Sequence, residues 1–199
     1  MDRREVATGL DDAPDEALLV AFANGDASAG RVLLGRLAPR LFAHAARVLG
    51  DRAEAEDVVQ ETMLRLWKQA PDWRQGEAKV STWAYRVAVN LCTDRLRARK
   101  RRGHVGLDSV ADPPSLDPSA VERMTESDRN TALEAALATL PDRQRQAVVL
   151  RHIEGLSNPE IAAIMDIGVE AVESLTARGK RALTAALTDR KEELGYSHG

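Results

Sequence analysis

One segment near the middle of the chain, residues 103–127, has almost no apolar pattern and is interrupted by glycine and proline. Its helix-breaking residues are Gly103, Gly106, Pro113, Pro114 and Pro118. Proline blocks a helix, and a segment with little apolar surface cannot bury a core. The segment therefore predicts a flexible linker between two units, residues 12–102 and residues 128–190.

The composition of the chain is that of helical proteins. Hydrophobic residues make up 44% of the 199 residues and aromatic residues only 4%, while Ala, Leu, Arg and Glu are plentiful. Strand formers such as Ile, Tyr and Phe are scarce, so helices are favoured over sheets. We therefore predict an all-α protein of two small helical domains joined by the linker.

The sequence offers little for catalysis, redox chemistry or metal binding. Cys92 is the single cysteine, so an internal disulfide is ruled out, and the four histidines form no zinc-ligand pattern with it. Cys92 lies in an apolar helical pattern, which favours core packing. Residues 25–32 superficially resemble a phosphate loop, but they lack its Lys and its Ser/Thr. We expect no cofactor, no metal and no enzymatic activity.

The N-terminal residues are acidic and lack the apolar core of a secretion signal. No run approaches the length of about 18 apolar residues that a membrane helix needs. These patterns predict a cytoplasmic protein without membrane insertion.

Helical periodicity divides the first unit into four segments. The predicted helices cover about residues 15–24, 30–49, 53–70 and 82–101. Gly25 and Gly50 are expected stops, and Pro39 predicts a kink or a break in the second helix. Ser81 is expected to cap the fourth helix.

The third predicted helix begins with concentrated negative charge. Residues 51–61 hold five acids against one base, Arg52. The acids are Asp51, Glu54, Glu56, Asp57 and Glu61. Two interpretations remain open, because acids near a helix N-terminus favour its dipole and can simply be solvated, whereas the same face can also dock another protein.

The fourth predicted helix concentrates positive charge, although the net charge of the chain is −3. Residues 86–102 hold seven bases against the single acid Asp94. A polar stripe lies within about 40° of one line along this helix. Its members are Arg86, Asn90, Thr93, Arg97 and Lys100. Trp73, Trp83 and Tyr85 lie just upstream, and aromatic rings beside cations suit single-stranded nucleic acid. The alternative is that Trp83 belongs to the core and the arginines are solvated.

The second unit carries the pattern of a helix-turn-helix. Residues 128–139 and 143–154 are predicted helices, stopped by Pro141 and Gly155. Ser157 and Glu160 form a capping-box pattern that opens a short helix, residues 166–168 form a turn, and residues 169–187 form a second helix. Two helices joined by a tight turn are the usual DNA-reading arrangement, and a generic helical hairpin is the alternative.

Three groups of residues, in this order and spacing, resemble the extracytoplasmic-function sigma factors of bacterial RNA polymerase. The resemblance runs from about residue 15 to residue 188. The groups are Ala55 to Glu61 with Trp67; Ser81 to Asn90 with Asp94 and Arg95; and Leu140-Pro141 with Arg145, then Glu160-Ile161-Ala162 and Ala171 to Ser174.

The resemblance implies three binding surfaces. Core RNA polymerase is expected to bind Asp57, Gln60 and Glu61, which favours docking over simple solvation for the acidic helix. The −10 promoter element, as unpaired non-template bases, is expected to contact Trp73, Arg74, Trp83, Arg86, Asn90, Arg97 and Lys100. The −35 element is expected to contact Glu170, Glu173, Ser174, Arg178, Lys180 and Arg181. An anti-sigma factor is the expected inhibitory partner, and a stress response is the expected setting.

This sequence departs from the family pattern at several positions. Gly30 replaces a usual aromatic residue, which predicts looser packing, Gly168 replaces a capping Ser, and Asp166 stands where Gly is common. Glu173 occupies a position that is often Lys. A carboxylate on a reading helix either accepts a hydrogen bond from a cytosine amino group or lowers DNA affinity by repelling phosphate.

A conventional DNA-binding regulator is the competing hypothesis. It explains the helix-turn-helix but not the basic helix or the acidic helix of the first unit. A conventional regulator binds its site alone, whereas a sigma factor usually needs polymerase, so DNA binding by the isolated protein discriminates between them. An enzyme is a third possibility, but the sequence shows no nucleophile–base pair, metal set or phosphate loop.

Overall fold

A computed structural model describes residues 10–74, 76, 78–103 and 121–188, and for residues 121–129 it describes the backbone alone. Eight α-helices and no strand occur among these residues, which confirms the predicted all-α fold. The helices are α1 (Asp15–Ala23), α2 (Ala27–Leu49), α3 (Arg52–Gln69), α4 (Val80–Gly103), α5 (Val121–Ala138), α6 (Asp142–Val148), α7 (Asn158–Met165) and α8 (Val169–Thr188). Most of the predicted linker, residues 104–120, lies outside the described residues, as do residues 189–190.

The first four helices enclose an apolar core. Leu33, Leu37 and Leu41 recur every fourth residue along one face of α2, and all are at most 2% exposed. The facing side of α4 carries smaller side chains at the same spacing, with Ala84 and Ala88 both fully buried. Apolar side chains at this spacing form one stripe on a helix, and burial of the stripes stabilises the unit.

Cys92 extends the buried stripe of α4 and is fully buried. Burial raises the pKa of its thiol to about 12, so the side chain stays protonated and behaves as a small apolar group. This confirms the prediction of core packing.

The helix ends follow local capping rules in two places and break them in a third. Asp26 accepts hydrogen bonds from the amides of Ser28 and Ala29 at 2.8 and 3.2 Å, and Gly50 ends α2 with a φ of 65°. The predicted cap at Ser81 is wrong, because α4 begins one residue earlier. The Val80 amide instead donates to the carboxylate of Glu16 on α1 at 3.2 Å. A distant side chain thus satisfies a helix-terminal amide.

The structure corrects one further expectation about α2 in part and another in full. Pro39 lies inside α2, which runs from Ala27 to Leu49, so the predicted break does not occur and the alternative of a kink stays a prediction. The packing at Gly30 is tight, because a Cβ there would lie 2.5 Å from the ring of Phe22. Phe22 in turn packs against Trp67 with ring centroids 4.4 Å apart. The absence of a side chain at Gly30 therefore leaves space for the ring of Phe22 on α1.

The second unit contains the predicted helix-turn-helix. Both reciprocal hydrogen bonds of the Ser157–Glu160 capping box are present at the start of α7. Asp166, where Gly is common in the family, ends α7 in the left-handed conformation with a φ of 54°. Ala162 and Val172 are buried where α7 and α8 meet.

Two features of the second unit depart from the prediction. Helix α5 begins at Val121, so residues 121–127, which the composition assigns to the linker, are helical. After α6 the chain continues as a π-helical turn over Val149–Ile153 and ends at Gly155, whose φ is 71°. The exact bounds of the two domains stay a prediction.

The second unit packs against the first, and Arg145 on α6 anchors the contact. Its guanidinium donates to the backbone carbonyl oxygen of Val48 on α2 at 2.7 Å and to that of Ala138 on α5 at 2.7 Å. Arg145 is 9% exposed, and burial lowers the pKa of its guanidinium. A buried cation on α6 with hydrogen-bond partners on α2 and α5 fixes how the units meet.

His44 on α2 is a buried polar side chain inside the first unit. It is fully buried, and its ring meets the ring of Tyr85 edge-on at a centroid distance of 5.8 Å. Neither ring nitrogen has a hydrogen-bond partner in the described part of the chain. Burial, with a smaller contribution from the charge of Arg47, lowers the pKa of His44 to about 4. The folded protein therefore holds this imidazole neutral.

The buried His44 predicts a loss of stability in mild acid. Its unfolded pKa is about 6.5, so the unfolded chain takes up the proton first, and the free energy of unfolding falls as the pH drops from about 6.5 toward 4. Between pH 7.5 and pH 5.0, urea denaturation should show a loss of about 2 kcal/mol from this group. His44→Phe removes the titration but keeps a ring, so its loss should be smaller by that amount. Equal losses in both proteins would contradict the assignment.

Candidate polymerase and nucleic-acid interfaces

A groove of about 670 Å³ runs between α2 and α3. Leu34 and Leu64, which line its floor, are 41% and 51% exposed, which is unusual for leucine. The apolar side chains that line it are Leu34, Ala38, Pro39, Phe42, Val59, Met63, Leu64 and Trp67, and the polar ones are Glu56, Asp57 and Gln60. An exposed apolar floor with an acidic rim is the chemistry that binds a helix carrying apolar and basic side chains.

The structure brings two of the three predicted polymerase-binding residues to this groove. Asp57 and Gln60 are exposed and line it. Glu61 lies outside its lining and pairs with Arg65 of its own helix at 2.7 Å. The sequence analysis did not predict Leu34 and Leu64 as groove residues. Both are leucines that lie off the buried face of their helix, and an apolar residue at such a position is the signal that could have identified them.

Several acids at and near the start of α3 pair with arginines of α4. Arg99 on α4 lies 3.2 Å from Glu54 and 3.5 Å from Asp51, and it donates to the carbonyl oxygen of Leu49 at 2.6 Å. Arg95 lies 3.7 Å from Asp57. Two of the seven bases of the basic helix therefore bridge α4 to α3.

Four members of the predicted polar stripe lie exposed along α4. Arg86, Asn90, Arg97 and Lys100 share one face, and the fully buried Ala84, Ala88 and Cys92 lie on the opposite face. The fifth member, Thr93, is half-buried and accepts a hydrogen bond from the Gln146 amide at 3.0 Å. The stripe joins cations to an amide that can both donate and accept, a combination suited to phosphates and base edges.

Trp73 and Trp83 form an aromatic corner beside the N-terminal end of α4. Their rings meet edge-on with centroids 6.2 Å apart, and both are half-buried against the core. A pocket of about 370 Å³ opens beside them, lined also by Arg74 and Asp72. Trp83 therefore packs partly against the core and partly lines the pocket, and its contact with nucleic acid stays a prediction. Aromatic walls near an arginine suit a planar base.

All six residues predicted to read the −35 element are exposed on α8. The opposite face of α8 holds the buried residues Val172, Thr176 and Gly179. A Cβ at Gly179 would lie 2.5 Å from Val148, so α8 approaches α6 closely there. Glu173 lies 3.5 Å from the side-chain amide of Asn158 on α7. The exposed residues are Glu170, Glu173, Ser174, Arg178, Lys180 and Arg181.

Glu160 is the most strongly shifted acid among the described residues. Hydrogen bonds from Ser157, followed by one from Lys79, hold its pKa at about 2.

Within the described residues there is no group of three side chains that suits a metal ion, and none of the described helices is long and apolar enough to cross a membrane.

Comparison with known proteins matches both units to parts of one family. The family described as Sigma-70 region 2 matches residues 33–102, and the family described as Sigma-70, region 4, matches residues 130–183. The ECF RNA polymerase sigma factor SigW of Bacillus subtilis is 31% identical over 151 residues, covering 72% of this chain and 80% of SigW.

A relative and a solved structure extend the match. The ECF RNA polymerase sigma factor SigE of Mycolicibacterium smegmatis is 32% identical over 169 residues, and the match covers 83% of this chain but only 64% of SigE. The structure of CnrH in complex with the cytosolic domain of CnrY has a TM-score of 0.62 and 26% identity, and the match covers 88% of this chain and 97% of CnrH.

Proposed function

This chain belongs to the extracytoplasmic-function sigma factors of RNA polymerase, and from that membership we propose that it binds core polymerase, recognises the −35 and −10 promoter elements and helps to open the DNA. The proposed role is non-enzymatic and cytoplasmic. The observation that carries it is the layout of the first unit, in which a docking groove and a basic, polar stripe lie on adjacent helices. Arg95 bridges those helices next to Asp57 at 3.7 Å.

The proposed docking to core polymerase rests on the groove between α2 and α3. Its floor exposes Leu34 and Leu64, and its rim carries Asp57 and Gln60. An apolar floor supplies affinity on burial, whereas the rim charges select the partner and speed its association. We propose that a helical surface of core polymerase occupies this groove.

Charge reversal on the acidic face of α3 is predicted to weaken polymerase binding. The double variant Asp57→Arg, Glu61→Arg should lower the affinity for core enzyme by about tenfold or more, because like charges then meet across the interface. Leu64→Ala should also weaken binding without any change of charge, because it removes exposed apolar surface. Titration of core polymerase with labelled protein measures both effects.

The matched control for this experiment is Glu134→Arg, because Glu134 is an exposed acid on α5, away from the groove. It should bind core polymerase like the wild type. Circular dichroism should show the same helix content in all four proteins. Full affinity in the folded double variant would overturn the docking proposal.

The proposed role in DNA opening rests on the stripe of α4 and the aromatic corner. Cations along α4 suit the phosphates of a strand, and Asn90 suits a base edge or the backbone. The pocket beside Trp73 and Trp83 suits a base that has left the helical stack. We propose that these groups act after docking, on the unpaired non-template strand of the −10 element.

Asn90→Ala is predicted to impair strand opening more than docking. On a duplex promoter, open-complex formation with core polymerase should fall by several-fold, whereas a template with a pre-melted −10 bubble should restore most of it. The matched control is Asn24→Ala, which removes an exposed amide from the end of α1. Permanganate reactivity of unpaired thymines measures the opening. An equal loss on both templates, or a loss on neither, would contradict the proposal.

The proposed recognition of the −35 element rests on α8, on which all six predicted residues face solvent. Glu173 has two proposed roles, base readout or a charge that lowers affinity for every sequence. Base readout predicts that Glu173→Ala loses about 1–3 kcal/mol on the native −35 element and discriminates less at one base pair. A general repulsive role predicts that Glu173→Lys gains affinity for all sequences, with a steeper salt dependence. An alanine variant with unchanged preference and salt slope would exclude both.

An inhibitory protein partner is also part of the proposal. CnrH, which shares this fold, was solved in complex with the cytosolic domain of CnrY. We propose that an anti-sigma factor binds this chain and blocks the groove between α2 and α3 until a stress signal releases it. Such a partner should compete with core polymerase for the groove. Core polymerase should therefore dissociate the complex, whereas promoter DNA alone should not. Simultaneous binding of both proteins would contradict this proposal.

A further inference from the structure

Helix α1 contacts both ends of the segment that carries the aromatic corner. Phe22 on α1 packs against Trp67 near the end of α3, with ring centroids 4.4 Å apart, and α1 also packs against the turn Ala70–Asp72. At the other end of the segment, the carboxylate of Glu16 accepts a hydrogen bond at 3.2 Å from the amide of Val80, the first residue of α4. One short helix therefore holds the two points between which the chain passes from α3 into α4.

The hydrogen bond from Val80 to Glu16 determines where α4 begins. The first amides of a helix have no partner inside it and need an acceptor from elsewhere, and Val80 is fully buried. With this amide satisfied, the Trp83 amide donates to the carbonyl oxygen of Lys79 at 3.1 Å, which is the first hydrogen bond along α4. Without the carboxylate, the local sequence favours a start capped by Ser81, and that start would leave the hydrogen bond of Trp83 unmade.

The position of Trp83 matters because packing alone holds the aromatic corner together. The rings of Trp73 and Trp83 meet edge-on with centroids 6.2 Å apart, and both residues are half-buried. The indole nitrogen of Trp73 is buried and has no hydrogen-bond partner in the described part of the chain. The shape of the pocket beside the two rings therefore depends on where the backbone places them.

We propose that Glu16 is a positioning residue for the pocket that receives an unpaired base of the −10 element. Its carboxylate fixes the first turn of α4 through the Val80 amide, and that turn presents the Trp83 ring to the pocket. Glu16 acts through Val80 and need not touch DNA itself. This role rests on the proposed function, which places an unpaired base in the pocket.

A pocket that is formed before DNA arrives binds a base more tightly, because less order has to be gained when the base enters. Loss of the Glu16 carboxylate should therefore weaken the contribution of the base more than it weakens phosphate contacts or polymerase docking. The docking groove lies between α2 and α3, and the cations of the stripe lie farther along α4. Neither surface depends on the Val80 amide.

Glu16→Ala is predicted to lower the affinity for one unpaired base. Complexes of core polymerase with each variant are titrated with a labelled non-template −10 oligonucleotide, and with oligonucleotides that lack one base at a time. The base whose contribution is lost in Trp83→Ala is the one that occupies the pocket. Glu16→Ala should reduce the contribution of that same base by about fivefold to tenfold, as expected when a buried amide loses its acceptor. The affinity for the oligonucleotide that already lacks the base should change little.

Two further variants separate positioning from a general loss of stability. Asp15→Ala is the matched control, because it removes the neighbouring acid of α1, whose carboxylate bonds Arg36 on α2 at 2.8 Å. It should leave the contribution of the base unchanged. Glu16→Gln keeps a side-chain oxygen that can accept from the Val80 amide, so it should restore most of the contribution. A general loss of stability would lower the affinities for all the oligonucleotides alike.

Amide hydrogen exchange of the free protein tests the start of α4 directly. The Trp83 amide should exchange faster in Glu16→Ala than in the wild type, Asp15→Ala or Glu16→Gln, because its hydrogen bond to Lys79 is lost. An unchanged contribution of the base in Glu16→Ala, or an equal loss in Asp15→Ala, would overturn the positioning role. A loss in Trp83→Ala would in that case still support the proposed pocket, whereas no effect of Trp83→Ala would overturn the pocket itself.

Discussion

The arrangement of the first unit depends on the packing of α4 against α2 and α3. Ala84, Ala88 and Cys92 form a face of small side chains that is fully buried. Small side chains let the helix axes approach closely, and each buried group adds apolar contact. With that face committed to the core, Asn90 and its neighbours on the opposite side have to point outward. The buried residues of α4 thus determine which of its polar side chains are exposed.

The same packing joins the docking groove to the stripe. Arg99 and Arg95 bind acids of α3, so α3 and α4 form one rigid support. Polymerase bound in the groove would hold α4 in a defined place, and DNA would then meet a preformed surface. One helix therefore serves both the core and the proposed DNA site.

Local sequence patterns predicted much of this fold. Helical periodicity located the helices, and the Ser157–Glu160 box marked the start of α7, because these signals act over a few residues. Position along a helix also predicted the exposed stripe and the exposed face of α8. Features that join distant segments could not be predicted in this way. The carboxylate of Glu16 caps α4 from 64 residues away, and Phe22 fills the space beside Gly30. The Lys79–Glu160 pair spans 81 residues.

The central claim is that the exposed stripe of α4 contacts the non-template strand of the −10 element. A photo-crosslinking amino acid at position 90, in a complex of core polymerase, this protein and an open promoter, tests it most directly. We predict crosslinks to non-template nucleotides of the −10 element, and none from the same group at position 134 on α5. Crosslinks from position 90 to upstream duplex DNA alone, or an absence of DNA crosslinks from a complex that transcribes, would contradict it.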